Sequence, residues 1–255
     1  MDGQVRGVQV RSRHGAVETL PARVTLGADG QHSVIGRALG LSRSAANPRR
    51  WAVGAYFEGV TGLDEVGEMH VRAGQYLGVA PAAGGRANAC VVRAPAAGEA
   101  WGTPAALLGD ALAADPVLGP RFRDARILTR PVVLGPLAVD TPIPGAPGVL
   151  LLGDAAGFVD PMTGDGLHLA IRSAELAAEV SLSCLGGAVA PAELHRVYAR
   201  RMSARLGRKR RFDRALRRLV ASPGAVRAAA ATARVWPGAF RAVIRYAGDA
   251  AGGLA

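Results

Sequence analysis

Residues 150–170 read LLLGDAAGFVDPMTGDGLHLA, and this stretch decides the fold. Leu150, Leu151 and Leu152 form a continuously apolar run that stops at Gly153-Asp154. A loop carrying Pro161 and Gly164 then feeds a helical pattern from Gly166. A short unbroken apolar run followed at once by a helix is the signature of a strand buried on both faces in a parallel sheet. Ligands of α/β folds gather at the carboxyl ends of such strands. Asp154 stands at that end, where a carboxylate can accept hydrogen bonds from a polyol or ribose. Gly153, Gly157, Gly164 and Gly166 let main chain approach a flat or phosphorylated ligand. The helix start offers unpaired N–H groups and the positive end of a dipole to an anionic oxygen. A Gly-Asp pair alone is an ordinary capped turn. Four glycines, a proline and a carboxylate in one short loop exceed what a turn requires.

Working outward, residues 4–10 and 18–26 alternate as two strands joined at Arg13-His14-Gly15, and 33–39 is a brief helix. Strands are expected over 51–60, 68–71, 76–80 and 87–92, with a hairpin turn at 81–85, which makes the middle block an antiparallel sheet. Thr103-Pro104 reads as the N-cap and first residue of a helix running to about Ala114, stopped by Asp115-Pro116. Residues 132–139 are extended. The chain from Pro191 is helical, with breaks expected near Gly207 and at Ser222-Pro223-Gly224.

The chain has 255 residues, 49% of them hydrophobic and 20% charged, which is a globular composition with room for a substantial core. Aromatics, at 5%, are too few for a base-stacking nucleic-acid module. Cys90 and Cys184 lie far apart with no Cys or His at ligand spacing, so they build neither a disulfide framework nor a metal site. The net charge of +11 is localised: residues 196–218 hold eleven basic residues and one acid, Asp213, leaving 20 basic against 19 acidic elsewhere. Leu194, Tyr198, Met202 and Leu206, then Phe212, Leu216 and Leu219, recur at near-helical spacing within it. A solvated helix packed on the body is the plainest reading. Attachment to anionic membrane and nucleic-acid binding are the alternatives, the last disfavoured by the lack of any reader motif. A cytoplasmic protein, peripheral to the inner membrane face in the second reading, is expected.

The segment GDAAGFVDPMTGDGLHLAIRSAELAAEV resembles the C-terminal flavin-binding motif of FAD-dependent oxidoreductases of the p-hydroxybenzoate hydroxylase and geranylgeranyl reductase superfamily. The resemblance implies that Asp154 binds the flavin ribityl chain. It also implies that Gly153, Ala155, Pro161, Gly164, Asp165, Gly166 and Leu167 surround the cofactor, the loop and helix start holding the pyrimidine end of the ring. Gly157 stands where many aromatic hydroxylases have His, closer to the reductase-like branch. Upstream, ARVTLGADGQHSVIGRALGL (22–41) is similar to the superfamily's strand-Gly-Ala-Asp-Gly-x-x-Ser motif near the flavin pyrophosphate, implicated in pyridine nucleotide binding. Asp29, Gly30 and Ser33 match it. Where members often carry two arginines, this chain has Gly36 and Arg37.

The resemblance thus implies a mixed α/β fold in four parts: residues 1–48, a partial Rossmann-like FAD-binding domain; 49–139, an antiparallel substrate-domain sheet with a helix; 140–185, the FAD-binding domain's second part; and 186–255, a basic helical tail. It implies FAD as cofactor, NAD(P)H as electron donor, and an aromatic, polyketide or isoprenoid substrate. Hydroxylation and double-bond reduction both remain open. Of the middle sheet's Tyr56, Met69 and Tyr76, each reads as core, and His14, His32, His70, His168 and His195 read as turn, surface or satisfied histidines, with lining the site as the alternative for His168. The superfamily's opening GxGxxG occurs nowhere in this sequence. An N-terminally truncated form is therefore expected, binding FAD weakly or not at all by itself and tending to aggregate, with an inactive fragment as the alternative.

Overall fold

The computed structural model describes residues 3–44, 49–95 and 102–247, so the ends of the first and last expected segments lie outside it. The chain forms two compact units, Met1–Ala45 with Ala138–Arg214, and Ala46–Leu137 with Ala215–Ala255.

In the first unit, strands β1 (Gly7–Arg11) and β2 (Val17–Pro21) pair antiparallel as a hairpin. β3 (Thr25–Gly27) leads through Ala28-Asp29-Gly30 into the short helix α1 (Val34–Ala38) and the two-residue β4 (Arg43–Ser44). In the second unit, β5 (Trp51–Glu58), β6 (Glu68–Arg72), β7 (Gln75–Ala82) and β8 (Arg86–Arg93) form the expected antiparallel sheet. Its β5 edge is extended by β9 (Arg126–Ile127) and β10 (Val132–Leu134). Helix α2 (Pro104–Ala114) begins as anticipated, with the Thr103 hydroxyl accepting from Ala106 N at 3.2 Å and Pro104 in the first turn. It ends at Asp115, whose carboxylate accepts from Val117 N and Leu118 N and so starts α3 (Leu118–Phe122).

Alternation explains this unit's core. Val53, Ala55 and Phe57 of β5 with Leu77 and Val79 of β7 turn one sheet face onto Leu108 and Leu112 of α2. Phe57 meets Phe122 edge-to-face with centroids 5.3 Å apart. On the other face Tyr76 is buried, in line with its core assignment, but Tyr56 and Met69 are exposed. They flank a floor of small residues, Gly54, Gly78 and Cys90, in direct register across β5, β8 and β7.

The extended run expected over 132–139 is interrupted at Gly135–Pro136, whose peptide bond is cis. Beyond it, in the first unit, β11 (Val139–Asp140) pairs with β4, and β12 (Gly145–Ala146) turns back onto β13 (Val149–Leu151). β13 runs parallel to β3, Leu151 opposite Gly27. All three β13 residues are completely buried, as the leucine run required. A 3₁₀ turn follows at Gly153–Ala156 and another at Pro161–Thr163, then α4 (Gly166–Leu185).

Helix α5 (Leu194–Ala221) runs unbroken through Gly207, against expectation. An interior glycine costs only about 1 kcal/mol. Burial of Leu194, Tyr198, Met202 and Leu206 against Leu151, Leu176 and Val180 outweighs that cost. The break at Ser222 is real, since its hydroxyl caps α6 (Pro223–Val235) at Ala225 N. Trp236-Pro237 makes a second break before α7 (Pro237–Ala247).

Candidate functional site

Parallel pairing of β3 with β13 brings both sequence motifs to one sheet edge. Leu152 N donates to Gly27 O at 2.8 Å, so Asp29 and Asp154 each follow the carboxyl end of one of two adjacent strands. Their environments then diverge.

Asp29 is committed to the fold. Its Oδ2 accepts from Val34 N at 2.7 Å and Ile35 N at 3.2 Å, while the buried Ser33 hydroxyl accepts from Gly36 N at 2.8 Å. The two side chains together cap α1. Burial pushes the Asp29 carboxyl upward, but hydrogen bonds from Ser33 and from the Ile35 and Val34 amides outweigh it and hold it below the carboxylate range. Gly30 takes φ +77° with nothing within 4 Å of where a Cβ would stand, and Arg37 is exposed in the last turn of α1.

Asp154 is different. It is partly buried in the 3₁₀ turn after β13, and among the described residues nothing hydrogen-bonds its carboxylate. Burial alone raises its pKa. Its turn is rigidly held: Gly153 N donates to Ser173 Oγ at 2.8 Å, Ser173 Oγ donates to Ala170 O, and Ala155 is fully buried. A fixed, partly buried carboxylate with no donor among the described residues suits a ligand hydroxyl.

Pro161 opens the second turn, with Asp160 capping Met162 N, and Gly164 follows in the left-handed region at φ +72°. The Asp165 side chain gives α4 no capping bond. It is instead buried beside Lys209, Nζ 3.0 Å from Oδ2, as an ion pair without an aligned hydrogen bond. The first turn of α4 therefore presents Gly166, Leu167 and His168 to the surface without a cap from Asp165. Leu167 is 80% exposed, and Ile171, one turn on, is 60% exposed. The donor set fits the flavin half of FAD: an acceptor without a partner for the ribityl hydroxyls, a helix N-terminus for the ring's pyrimidine edge, and apolar Leu167 and Ile171 to cover it.

Sequence reasoning missed how α5 holds this loop. Arg210 Nη2 donates to Ala156 O at 2.9 Å and Gly157 O at 3.4 Å, while Lys209 holds Asp165. The Tyr198 hydroxyl donates to Leu151 O at 3.0 Å and lies 3.3 Å from Ser173 O, joining β13 to α4 from below; burial pushes its pKa up. Gly157, at φ +114°, has no room for a Cβ because the Arg210 guanidinium fills that space. Part of the basic run is thus internal scaffolding. The signal was present: Lys209 and Asp213 continue the three-and-four spacing of Met202 and Leu206, and both are buried.

No family model matches the chain. A digeranylgeranylglycerophospholipid reductase of Methanopyrus kandleri is 30% identical over 201 residues, 72% of this chain and 47% of that protein. Another from Methanothermobacter thermautotrophicus is 32% identical over 195 residues, 72% and 46%. The chain spans about half the length of the curated relatives it matches. Among solved structures, a geranylgeranyl bacteriochlorophyll reductase-like protein from Thermoplasma acidophilum aligns at TM-score 0.71 over 87% of this chain and 56% of that one, with 22% identity. A flavin-dependent brominase aligns at 0.77 over 96% and 62%, with 18% identity. The fold is the one these flavin-dependent enzymes share, with the two sequence motifs at the ends of adjacent parallel strands. In sequence the chain is similar to digeranylgeranylglycerophospholipid reductases, and in fold to a geranylgeranyl reductase-like protein, in agreement with the resemblance of its two motifs.

Proposed function

We propose that this chain holds the flavin ring of a reductase that saturates isoprenoid double bonds, with NAD(P)H as electron donor. The observation that carries the reading is Asp154, a partly buried carboxylate that nothing hydrogen-bonds among the described residues, in a turn held against Ala170 and Ser173 of α4. FAD, when bound, supplies hydride transfer between the nicotinamide and the double bond. The chain's own residues do the rest. Asp154 accepts from a ribityl hydroxyl, the α4 amides face the ring edge that turns negative on reduction, and Leu167 and Ile171 exclude water there. Asp29 and Ser33 shape the neighbouring strand end through the α1 cap. The open sheet face of the second unit, Tyr56 and Met69 around Gly54, Gly78 and Cys90, is the surface assigned to the isoprenoid chain. Glycine rather than histidine at position 157, and relatives named as reductases, favour reduction over hydroxylation. Fluorescence titration with FAD is expected to show weak, saturable quenching that Asp154→Ala abolishes. Equal binding by the variant overturns the assignment.

A second reading concerns location. No described helix is long and apolar enough to cross a membrane. The apolar stripe at the start of α5 is spent in the core and is not free to enter a bilayer. Helix α7 differs: Trp236 just before it and Phe240, Val243 and Ile244 on it are exposed at three-and-four spacing, flanked by Arg241 and Arg245. Residues 215–247 carry six arginines and no acid. That pattern is an interfacial helix for an anionic lipid surface. Peripheral membrane contact is therefore assigned to α7.

A further inference from the structure

A separate cavity of about 360 Å³ lies within the first unit, between α5 and the segment that follows β11. Its polar wall consists of Arg43, Asp140, Thr141, Ser203, Arg210 and Arg214. Positions 203, 207, 210 and 214 recur at three and four residues, so one face of α5 supplies the floor, and Gly207 keeps that floor open.

The charges in this cavity do not balance. Three guanidiniums face one carboxylate, and among the described residues none of the three arginines lies within ion-pair distance of an acid. Arg210 and Arg214, four residues apart on one helix face, repel each other. Arg210 cannot swing away, because its Nη2 is tied to Ala156 O. Burial first, and then Arg214, disfavours the Arg210 charge, only partly offset by Tyr198, Asp140 and Asp213. Arg43 and Arg214 are exposed and free of hydrogen bonds among the described residues, so their forks can turn inward.

We propose that this cavity binds a small organic phosphate. Guanidinium forks match phosphate oxygens in pairs, which a single carboxylate on the wall cannot satisfy. The Thr141 and Ser203 hydroxyls add neutral hydrogen-bonding groups on the same wall. A water's share of liquid volume is about 30 Å³, so the cavity holds roughly a dozen waters, enough for a phosphate and a few esterified carbons. A soluble glycerol or sugar phosphate and the headgroup of a phospholipid present the same chemistry.

Calorimetric titration with glycerol 1-phosphate tests this, at ionic strength held constant with sodium chloride. Saturable one-to-one binding is expected, with none for glycerol, and at least about tenfold weaker binding in Arg43→Gln/Arg214→Gln. Both substituted residues are exposed, and circular dichroism checks that the variant folds; Arg214→Gln alone is the substitute if it does not. Asp154→Ala is expected to leave this binding unchanged, which separates the cavity from the flavin site. Flotation with phosphatidic acid vesicles, compared between wild type and the double variant, identifies a lipid source if the variant alone loses binding. The proposal is overturned if the arginine substitutions change neither phosphate nor vesicle binding, or if glycerol phosphate gives no more heat than chloride and vesicle binding survives them.

Discussion

Lys209 Nζ lies 3.0 Å from Asp165 Oδ2, with only 9% and 6% of the two side chains exposed. This pair fixes the residue just before α4 to the middle of α5. Breaking a buried pair from one side strands a charge and costs about 3–5 kcal/mol, whereas replacing both partners by apolar groups is often neutral. Lys209→Met is therefore expected to destabilise strongly in urea. Lys209→Met/Asp165→Leu is expected to recover most of the loss while still weakening flavin binding. A double variant no more stable than the single one would show that the pair is not an isolated unit.

Asp29 and Asp154 sit at equivalent ends of adjacent strands and are expected to titrate in opposite directions. Asp29, held below the carboxylate range, contributes stability that is present above its unfolded pKa and is lost as pH falls through the lowered folded value. Asp154, raised by burial, carries a penalty above its folded pKa that is relieved as pH falls through it. Melting temperatures across pH are expected to show Asp154→Asn stabilising at neutral pH, with the gain vanishing in acid. Asp29→Ala is expected to lose about 1 kcal/mol at neutral pH, with the loss shrinking in acid. Parallel behaviour of the two variants would contradict the environments described for them.

Much of this was legible beforehand, for physical reasons. The Leu150–Leu152 run reads as a strand buried on both faces, and β13 is one, but the single strand expected over 18–26 divides into β2, which pairs with β1, and β3, which pairs with β13. Thr103-Pro104 announced α2 because capping is a local property. Tyr56 and Met69 were misassigned because alternation says which residues share a face but not which face is covered. Lys209 and Arg210 were hidden because a basic run reads as solvated unless each position is placed on the apolar stripe. The Asp29–Ser33 pair matched a motif by sequence, yet its capping role depends on how β3 enters α1, which only the backbone shows.

Gly157 and Arg210 form a steric lock. Gly157→Ala would place a Cβ both at φ +114° and inside the Arg210 guanidinium. The expected cost is about 2 kcal/mol, from backbone strain together with loss of the bond to Ala156 O. Because Arg210 holds the Asp154 turn, flavin binding should weaken as well. Arg210→Ala made in the same chain should relieve the clash but not the strain, so partial recovery in denaturant melts is the expected result; full recovery would mean that φ at 157 is not constrained.

Helix α7 offers the cleanest separation of membrane contact from folding, since its apolar residues support no buried core. Burying a Phe or Ile side chain is favourable by about 1.5–3 kcal/mol. Phe240→Ser/Ile244→Ser is therefore expected to weaken binding to anionic vesicles more than tenfold, while leaving the melting temperature and any binding of glycerol phosphate unchanged. Binding should fall with salt, because Arg241 and Arg245 meet the headgroups electrostatically. Neutral vesicles should bind poorly, since the apolar face is short. Self-association of the wild type, abolished by the same substitutions in the absence of lipid, would instead make α7 a contact between copies of the chain. Vesicle binding unchanged by the substitutions would return the membrane reading to the arginines of α5.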